Sequence, residues 1–204
     1  ILGGDTVRTE GPMVWTVTII GEVPKGTAVM RSGAKVGDVV GVTNYVGYAA
    51  TGLGALSYNL VGYDMTKVGH QRPEPQIELG QKLRRLGIHS MNDISDGLGS
   101  ELNEIAVASN VSIVIEEQAI PLHEETYALA KHLRTNPIDY ALYGGEDFQL
   151  VFTAPKSLLS ELEKLAGITL IGEVLSGPPR VQMVTPDKTI KAIEAKGYNH
   201  FHEG

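Results

Sequence analysis

Residues 90–102, SMNDISDGLGSEL, place two aspartates three positions apart, with a serine between them and two glycines after them. We interpret SMND as the end of a strand and GLGSEL as the start of a helix, because Leu98 and Leu102 recur at helical spacing. Asp93 then lies at the carboxyl end of the strand and Asp96 at the helix N-cap. The stretch therefore joins a strand to a helix within one turn, as α/β and α+β folds do.

Two interpretations of this turn are open. A capping aspartate stabilises a helix by about 1 kcal/mol, which explains Asp96 but leaves Asp93 unexplained. A second nearby carboxylate repels the first unless a cation lies between them. Hard divalent cations such as Mg²⁺ take carboxylate oxygens and keep positions for water and phosphate, and a helix N-terminus attracts phosphate. The residues alone are equally compatible with a capped helix and with a magnesium–phosphate site that includes the Ser95 hydroxyl.

The rest of the chain extends this mixture of strands and helices. Strands are predicted at residues 13–20, 39–43, 88–93, 111–117, 147–155, 168–175 and 180–185. Helices are predicted at residues 47–60, 97–109, 124–134 and 156–166, and within 70–87 after two prolines. Because strands and helices intermix, we expect an α/β or α+β fold with a mixed sheet.

The domain organisation is predicted from a loop rich in proline and glycine. We place a boundary near residues 24–37, where this loop separates the alternating segment MVWTVTII from the later elements. Residues 1–30 are predicted to be a fragment of one domain. Residues 31–204 are predicted to form a second, nearly complete α/β domain of ordinary size.

Composition excludes several classes of function. The chain has 204 residues, of which 42% are hydrophobic and 20% charged, so it can bury a core. Its net charge of −7 and its lack of a basic stripe argue against a nucleic-acid partner. No apolar run approaches the length of a membrane span, so no membrane partner is expected. The absence of cysteine excludes disulfides and thiolate sites and is consistent with a cytoplasmic protein.

Two further stretches place acids after paired glycines. GGDT occupies residues 3–6 and YGGEDF residues 143–148, where the glycines allow close approach of backbone to a ligand. Each also has a simpler explanation, as a loop or a tight turn with solvated acids. For YGGEDF alone, the tight turn is the favoured explanation.

Basic and aromatic residues mark two more candidate stretches. RSGAKVGD, at residues 31–38, offers Arg31 and Lys35 among glycines, and an arginine fork suits phosphate oxygens. KGYNHF, at residues 196–201, offers Tyr198, which could stack on a flat or cationic ring. Solvated loop cations and an aromatic-anchored tail are the alternatives. Neither a Walker phosphate loop nor a dinucleotide-binding glycine motif occurs.

The order of these motifs resembles one family. GGDT, RSGAKVGD, DISDGL, GGEDFQLVFT and GYNHF, in this order, are similar to the motifs of thiamine-monophosphate kinases, a family of the aminoimidazole-ribonucleotide synthetase superfamily. The resemblance runs from residue 1 to about residue 201. In that family GGDT follows a segment of roughly a domain, so we expect the chain to lack its N-terminal portion.

The resemblance implies a fold, a reaction and partners. The fold is a mixed-sheet C-terminal domain of the aminoimidazole-ribonucleotide synthetase type, preceded by a remnant of an N-terminal ATP- and metal-binding domain. The reaction is the ATP-dependent phosphorylation of thiamine monophosphate to thiamine diphosphate, by in-line transfer assisted by Mg²⁺. No side chain is implied as a covalent or acid–base catalyst, because positioning and metal ions lower the barrier. The whole protein is implied to be a homodimer.

Site residues follow from the resemblance by motif. It implies metal ligation by Asp5, Asp93 and Asp96, ATP contacts by Gly4, Asp5, Arg31 and Ser95, and substrate contacts by Glu146 and Tyr198. One stretch departs from the family, because GYAATG puts Tyr48 where the family has an aspartate. Alternatives are another ATP-using member of the superfamily and a non-catalytic nucleotide-binding fragment. We expect the chain by itself to have little kinase activity.

Overall fold

The computed structural model describes residues 2–196, whose strands all belong to one sheet. The strands are β1 (Val39–Thr43), β2 (Ser90–Asp93), β3 (Ser112–Glu116), β4 (Leu150–Ala154), β5 (Ile168–Leu175), β6 (Arg180–Val184) and β7 (Ile190–Ile193). The helices are α1 (Tyr48–Ser57), α2 (Asp64–Gln71), α3 (Ile77–Leu86), α4 (Leu98–Ser109), α5 (Glu124–Leu133), α6 (Pro137–Tyr143) and α7 (Leu159–Leu162). None of these helices is both long and apolar enough to cross a lipid bilayer.

The sheet is mixed, as predicted. Its seven strands lie in the order β2-β4-β1-β5-β3-β6-β7, and β3 pairs with β6 in parallel while the other pairs are antiparallel. This confirms the α/β (α+β) class with a mixed sheet. Because β2 lies beside β4, the residues that follow β2 meet the residues that precede β4.

Both faces of the central strand β1 are buried. Val40 and Val42 belong to the larger core cluster, which α4 and α6 cover, whereas Val39 belongs to a smaller cluster with Leu83 of α3. Alternate residues of a strand point to opposite faces, which explains the split. Helices therefore pack on both faces of the sheet.

The strand predicted at residues 13–20 is wrong. Residues 2–26 contain neither helix nor strand and are exposed, with Trp15 at 85% exposure. Alternating apolar residues make a strand only when a neighbouring strand takes the backbone hydrogen bonds and a core covers the apolar face. Within residues 2–196, no strand pairs with this segment and no core covers its apolar side chains.

The other differences are smaller. The helix predicted at residues 156–166 is a 3₁₀ turn (Lys156–Leu158) followed by the single turn of α7. The strand predicted from residue 147 begins only at Leu150, because Phe148 has a φ of 49°. Three elements were not predicted, because each is short and its amphipathic pattern covers too few residues to stand out: α2, α6 and β7.

Candidate functional site

The DISDG turn connects β2 to α4. Asp93 is the last residue of β2 and its side chain is exposed, which confirms its predicted place at the carboxyl end of the strand. The prediction that Asp96 caps the helix is wrong. Gly97 is the N-cap residue of α4, with a φ of 93° that residues with a side chain rarely adopt. Asp96 therefore lies one residue before the cap and is exposed, and among the described residues no N–H of α4 donates to its carboxylate.

A buried carboxylate that sequence reasoning missed lies beneath this turn. Glu101 of α4 is only 3% exposed. Its carboxylate accepts hydrogen bonds from the Ser95 hydroxyl and the Asp96 backbone N–H, each at 3.3 Å, and from the Asn92 amide. Position 101 lies three residues after Leu98 on the same helical face, so an acid on an apolar face was the available signal.

Negative charge accumulates around this carboxylate. Burial raises the pKa of Glu101, the Asp96 N–H partly opposes that rise, and the charges of Glu104, Asp93 and Asp96 add to it. Carboxylate oxygens at a strand end are the donor set that Mg²⁺ prefers, so these residues fit that cation. In the geometry of residues 2–196, however, no three acidic or histidine side chains converge on one metal position.

Arg31, which precedes β1 in the chain, contacts the same region. Its Nε donates to the Asn92 side-chain oxygen at 3.0 Å, and its guanidinium pairs with Glu104 at 2.7 Å. The Arg31 side chain remains half exposed. The structure thus brings Arg31 close to the DISDG turn through Asn92 and Glu104, and its ATP contact stays a prediction.

The GGED loop packs directly on the DISDG turn. The backbone N–H of Glu146 donates to Ser95 O at 2.8 Å, and that of Phe148 donates to Ile94 O at 3.0 Å. The Glu146 side chain is exposed, and its backbone has a φ of 69°. Two motifs about fifty residues apart therefore form one surface. Gly145 permits this contact, because a Cβ there would lie 2.2 Å from Ser95 O.

A substitution at this glycine tests the contact between the loops. We expect Gly145→Ala to lower the free energy of unfolding by about 1–3 kcal/mol, because the new methyl group must displace rigid backbone. Chemical denaturation measures the change. Gly80→Ala in α3 is the matched control, since its Cβ would meet only the movable ends of two side chains, Leu150 at 3.3 Å and Met91 at 3.8 Å. The control should be neutral or stabilising, and an equal effect of both substitutions would contradict the close approach.

Asp147, the last acid of the GGED motif, has a structural position that sequence reasoning did not assign. It is 4% exposed. Its carboxylate accepts the backbone N–H groups of Gly47, at 2.6 Å, and Ala49, at 2.8 Å, and so caps α1 from a distant part of the chain. Burial raises its pKa to about 6, although the N–H groups of Ala49, Gly47 and Tyr48 oppose the rise.

This pKa predicts a pH dependence of stability. The folded protein holds the Asp147 proton more tightly than the unfolded chain, whose pKa is near the ordinary 3.8. The part of the stability that comes from the bound proton is therefore complete below about pH 3.8 and lost as the pH rises through about 6, whereas the bonds to the backbone N–H groups remain. We expect the stability of the wild type relative to Asp147→Asn to fall by up to about 3 kcal/mol between those values. Urea unfolding of both proteins across the range measures it, and a constant difference would contradict it.

Tyr48, the departure from the family motif, contributes an aromatic contact. Its ring stacks on Tyr45, with centroids 6.1 Å apart, and both rings meet His123 edge-on. Burial is the first cause of a raised pKa at Tyr48. A pocket of about 400 Å³ lies beside the two tyrosines and reaches Asp147. Tyr48 thus forms part of the wall of this pocket.

Of the remaining predicted residues, the two that the structure describes are not brought into this site. Gly4 and Asp5 lie in the exposed segment at residues 2–26, where Asp5 accepts the neighbouring Thr6 N–H at 2.8 Å. Among the described residues, Asp5 has no contact with the DISDG turn. Tyr198 lies outside the described residues. Metal and ATP roles for Gly4 and Asp5, and a substrate role for Tyr198, stay predictions.

The domain has known relatives. Residues 35–184 match the domain family described as AIR synthase related protein, C-terminal domain. The chain belongs to this family. Within this AIR synthase related domain lie Asp93, Ser95, Asp96 and Glu146, whereas Arg31 precedes it.

Several known proteins are similar to most of the chain. A thiamine-monophosphate kinase of Bacillus subtilis (strain 168) is 41% identical over 98% of the chain, which spans 64% of that relative's length. A solved structure described as AaThiL complexed with AMPPCP and TMP is 34% identical, with a TM-score of 0.73 over 85% of this chain and 54% of that one. A thiamine-monophosphate kinase structure from Stenotrophomonas maltophilia K279a is 30% identical, with a TM-score of 0.73 over 79% of this chain and 54% of that one.

Proposed function

We propose that the protein takes part in the ATP-dependent phosphorylation of thiamine monophosphate to thiamine diphosphate. The observation that carries the proposal is the single surface formed by the DISDG turn, the GGED loop and Arg31. Its support is the 41% identity to a thiamine-monophosphate kinase and the 34% identity to a structure that holds AMPPCP, an analogue of ATP, together with TMP. An ATP-using reaction of another superfamily member is the less favoured alternative.

The proposed reaction requires neutralisation of the negative charge on the phosphate groups. A phosphate oxygen of the acceptor attacks the γ-phosphorus of ATP, and the repulsion between two phosphate groups dominates the barrier. We propose that Asp93 and Asp96 hold Mg²⁺, which neutralises phosphate charge when bound. Arg31 offers a fork for phosphate oxygens and Ser95 a hydroxyl beside them. Glu146, exposed on the adjoining loop, offers its carboxylate to the cationic thiamine.

Glu101 is a positioning residue in this proposal. By accepting the Asp96 N–H and the Ser95 hydroxyl, it determines where the turn presents the two aspartates. The metal and ATP roles of Gly4 and Asp5 and the substrate role of Tyr198 rest on motif resemblance alone. Their contribution would complete the set of ligands around ATP and the acceptor.

We also propose the organisation of the whole protein. Residues 1–30 would belong to an N-terminal ATP- and metal-binding domain and residues 31–204 to the C-terminal domain, in a cytoplasmic homodimer. The family match begins at residue 35, and residues 2–26 pack on no core within the described part of the chain. These two observations support the boundary.

Release of ADP tests the proposed reaction. The longest product of the gene is purified, because the 204-residue chain by itself is expected to have little activity, and it is incubated with ATP and Mg²⁺, with thiamine monophosphate as acceptor and unphosphorylated thiamine as control. We expect ADP release with the monophosphate alone, and none when Mg²⁺ is chelated. Folded protein that binds ATP but releases no ADP with either acceptor would support a non-catalytic nucleotide-binding role instead.

A further inference from the structure

A carboxylate, an imidazole and an amine lie in a row outside the site described above. Asp38 is 2% exposed, and its carboxylate oxygens lie 2.9 and 3.0 Å from His89 Nδ1. On the other side of the ring, His89 Nε2 lies 3.4 Å from the amine of Lys35. Lys35 is the second cation of the RSGAKVGD motif and has no role in the proposed kinase reaction.

The neighbouring groups decide which nitrogen of the His89 ring carries the hydrogen. A buried carboxylate can only accept, so Nδ1 carries the hydrogen and donates it to Asp38. Nε2 then has a free lone pair in the neutral ring, and that lone pair faces the Lys35 amine. This is the order of groups that activates a nucleophile, in which a carboxylate orients an imidazole and the imidazole takes a proton from the attacking atom.

The backbone holds Lys35 in place. Its own N–H donates to the Asp38 carboxylate at 2.9 Å. The preceding residue, Ala34, donates to the Ser109 hydroxyl at 3.1 Å, and that hydroxyl donates to Arg31 O at 2.9 Å. The loop is therefore tied both to α4 and to Asp38. The Lys35 side chain is exposed, so a reagent in solution can reach the amine.

The other lysine contacts in residues 2–196 are of a different kind. The amines of Lys156 and Lys196 pair with glutamates, at 3.3 and 3.2 Å, and that of Lys67 donates to a backbone carbonyl. Carboxylates and carbonyls stabilise the ammonium form, which is not nucleophilic. Within the described part of the chain, Lys35 alone has its amine against an imidazole nitrogen.

We propose that Lys35 is a modification site that reacts preferentially with acyl phosphates. Lys35 first loses one proton to solvent. The lone pair of the amine then attacks the acyl carbon, an N–C bond forms, and the C–O bond to phosphate breaks as phosphate leaves with the electron pair. His89 Nε2 takes the remaining excess proton from the nitrogen and passes it to water. The product is an uncharged amide, so the loop that follows Arg31 loses a cation.

Site-resolved acetylation tests this proposal independently of kinase activity. The 204-residue protein is treated with acetyl phosphate at about pH 8 and the initial rate at each lysine is measured by peptide mass spectrometry. Lys82, an exposed lysine of α3, is the internal reference. We expect Lys35 to react at least about tenfold faster than Lys82, as general-base assistance implies. In His89→Gln the ratio should fall to about one, while His132→Gln, an exposed histidine of α5, should leave it unchanged.

Two outcomes would overturn the proposal. One is a ratio of the Lys35 rate to the Lys82 rate near one in the wild type at about pH 8, and the other is a high ratio that survives His89→Gln.

Discussion

Asp147→Ala should lower the free energy of unfolding by about 3 kcal/mol, because it leaves two buried backbone N–H groups of α1 without acceptors. Gly47 and Ala49 are both buried, so water cannot readily replace the lost carboxylate. The effect at neutral pH is the net of two opposing terms. The ionised carboxylate binds both N–H groups but is itself penalised by burial, as its raised pKa shows.

Denaturant unfolding at about pH 7 measures this effect, and hydrogen exchange locates it. Relative to the wild type, the exchange rates of the α1 amide protons should rise more in the variant than those of the α4 amide protons. Glu146→Gln is the matched control, because it changes the adjacent acid, whose side chain is exposed. It should alter stability by less than about 0.5 kcal/mol. If Asp147→Ala were as mild as the control, Asp147 would not be the cap of α1.

The second large effect concerns activity. Under the proposed function, Asp93→Asn combined with Asp96→Asn in the longest product of the gene should lower kcat/KM for thiamine monophosphate by about 100-fold or more, since charge stabilisation of the reacting phosphates is lost. Both side chains are exposed, so the substitutions should leave the fold unchanged. The amide groups keep the size of the side chains and remove only the negative charges.

Initial rates across a range of Mg²⁺ concentrations measure this prediction. Asp139→Asn, at the exposed start of α6, is the control for an acid lost outside the site and should leave the rate unchanged. High Mg²⁺ should restore part of the activity of the single variants, because weak metal binding can be overcome by concentration. A double variant within about threefold of the wild type would remove these aspartates from the site.

The predictions that rested on neighbouring residues were mostly right. A short apolar run located β1, alternating residues located β4, and the spacing of Leu98 and Leu102 located α4, because strand and helix periods are properties of short segments. The same local logic placed Asp93 at the end of β2. The same logic misplaced the helix N-cap by one residue. It predicted Asp96 as the N-cap, whereas Gly97, whose backbone can adopt a φ of 93°, occupies that position.

Predictions from neighbouring residues also failed where contacts between distant parts of the chain decide the structure. Residues 13–20 have a strand pattern, yet a strand also needs a neighbour, and no described residue supplies one. Glu146 and Asp147 are adjacent acids in one motif, and only the fold makes one exposed and the other a buried cap for α1. The burial of Glu101 beneath the DISDG turn is of the same kind.

The sequence by itself determined the class of fold, most of the elements and the residue types of the candidate site, because periodicity and motif chemistry are written in consecutive residues. Only the tertiary structure decided which of those residues meet. The pairing of β2 with β4 puts the DISDG turn against the GGED loop, and Arg31 reaches that surface through Asn92. Contacts between distant segments depend on strand order and close packing, which no short stretch of sequence contains.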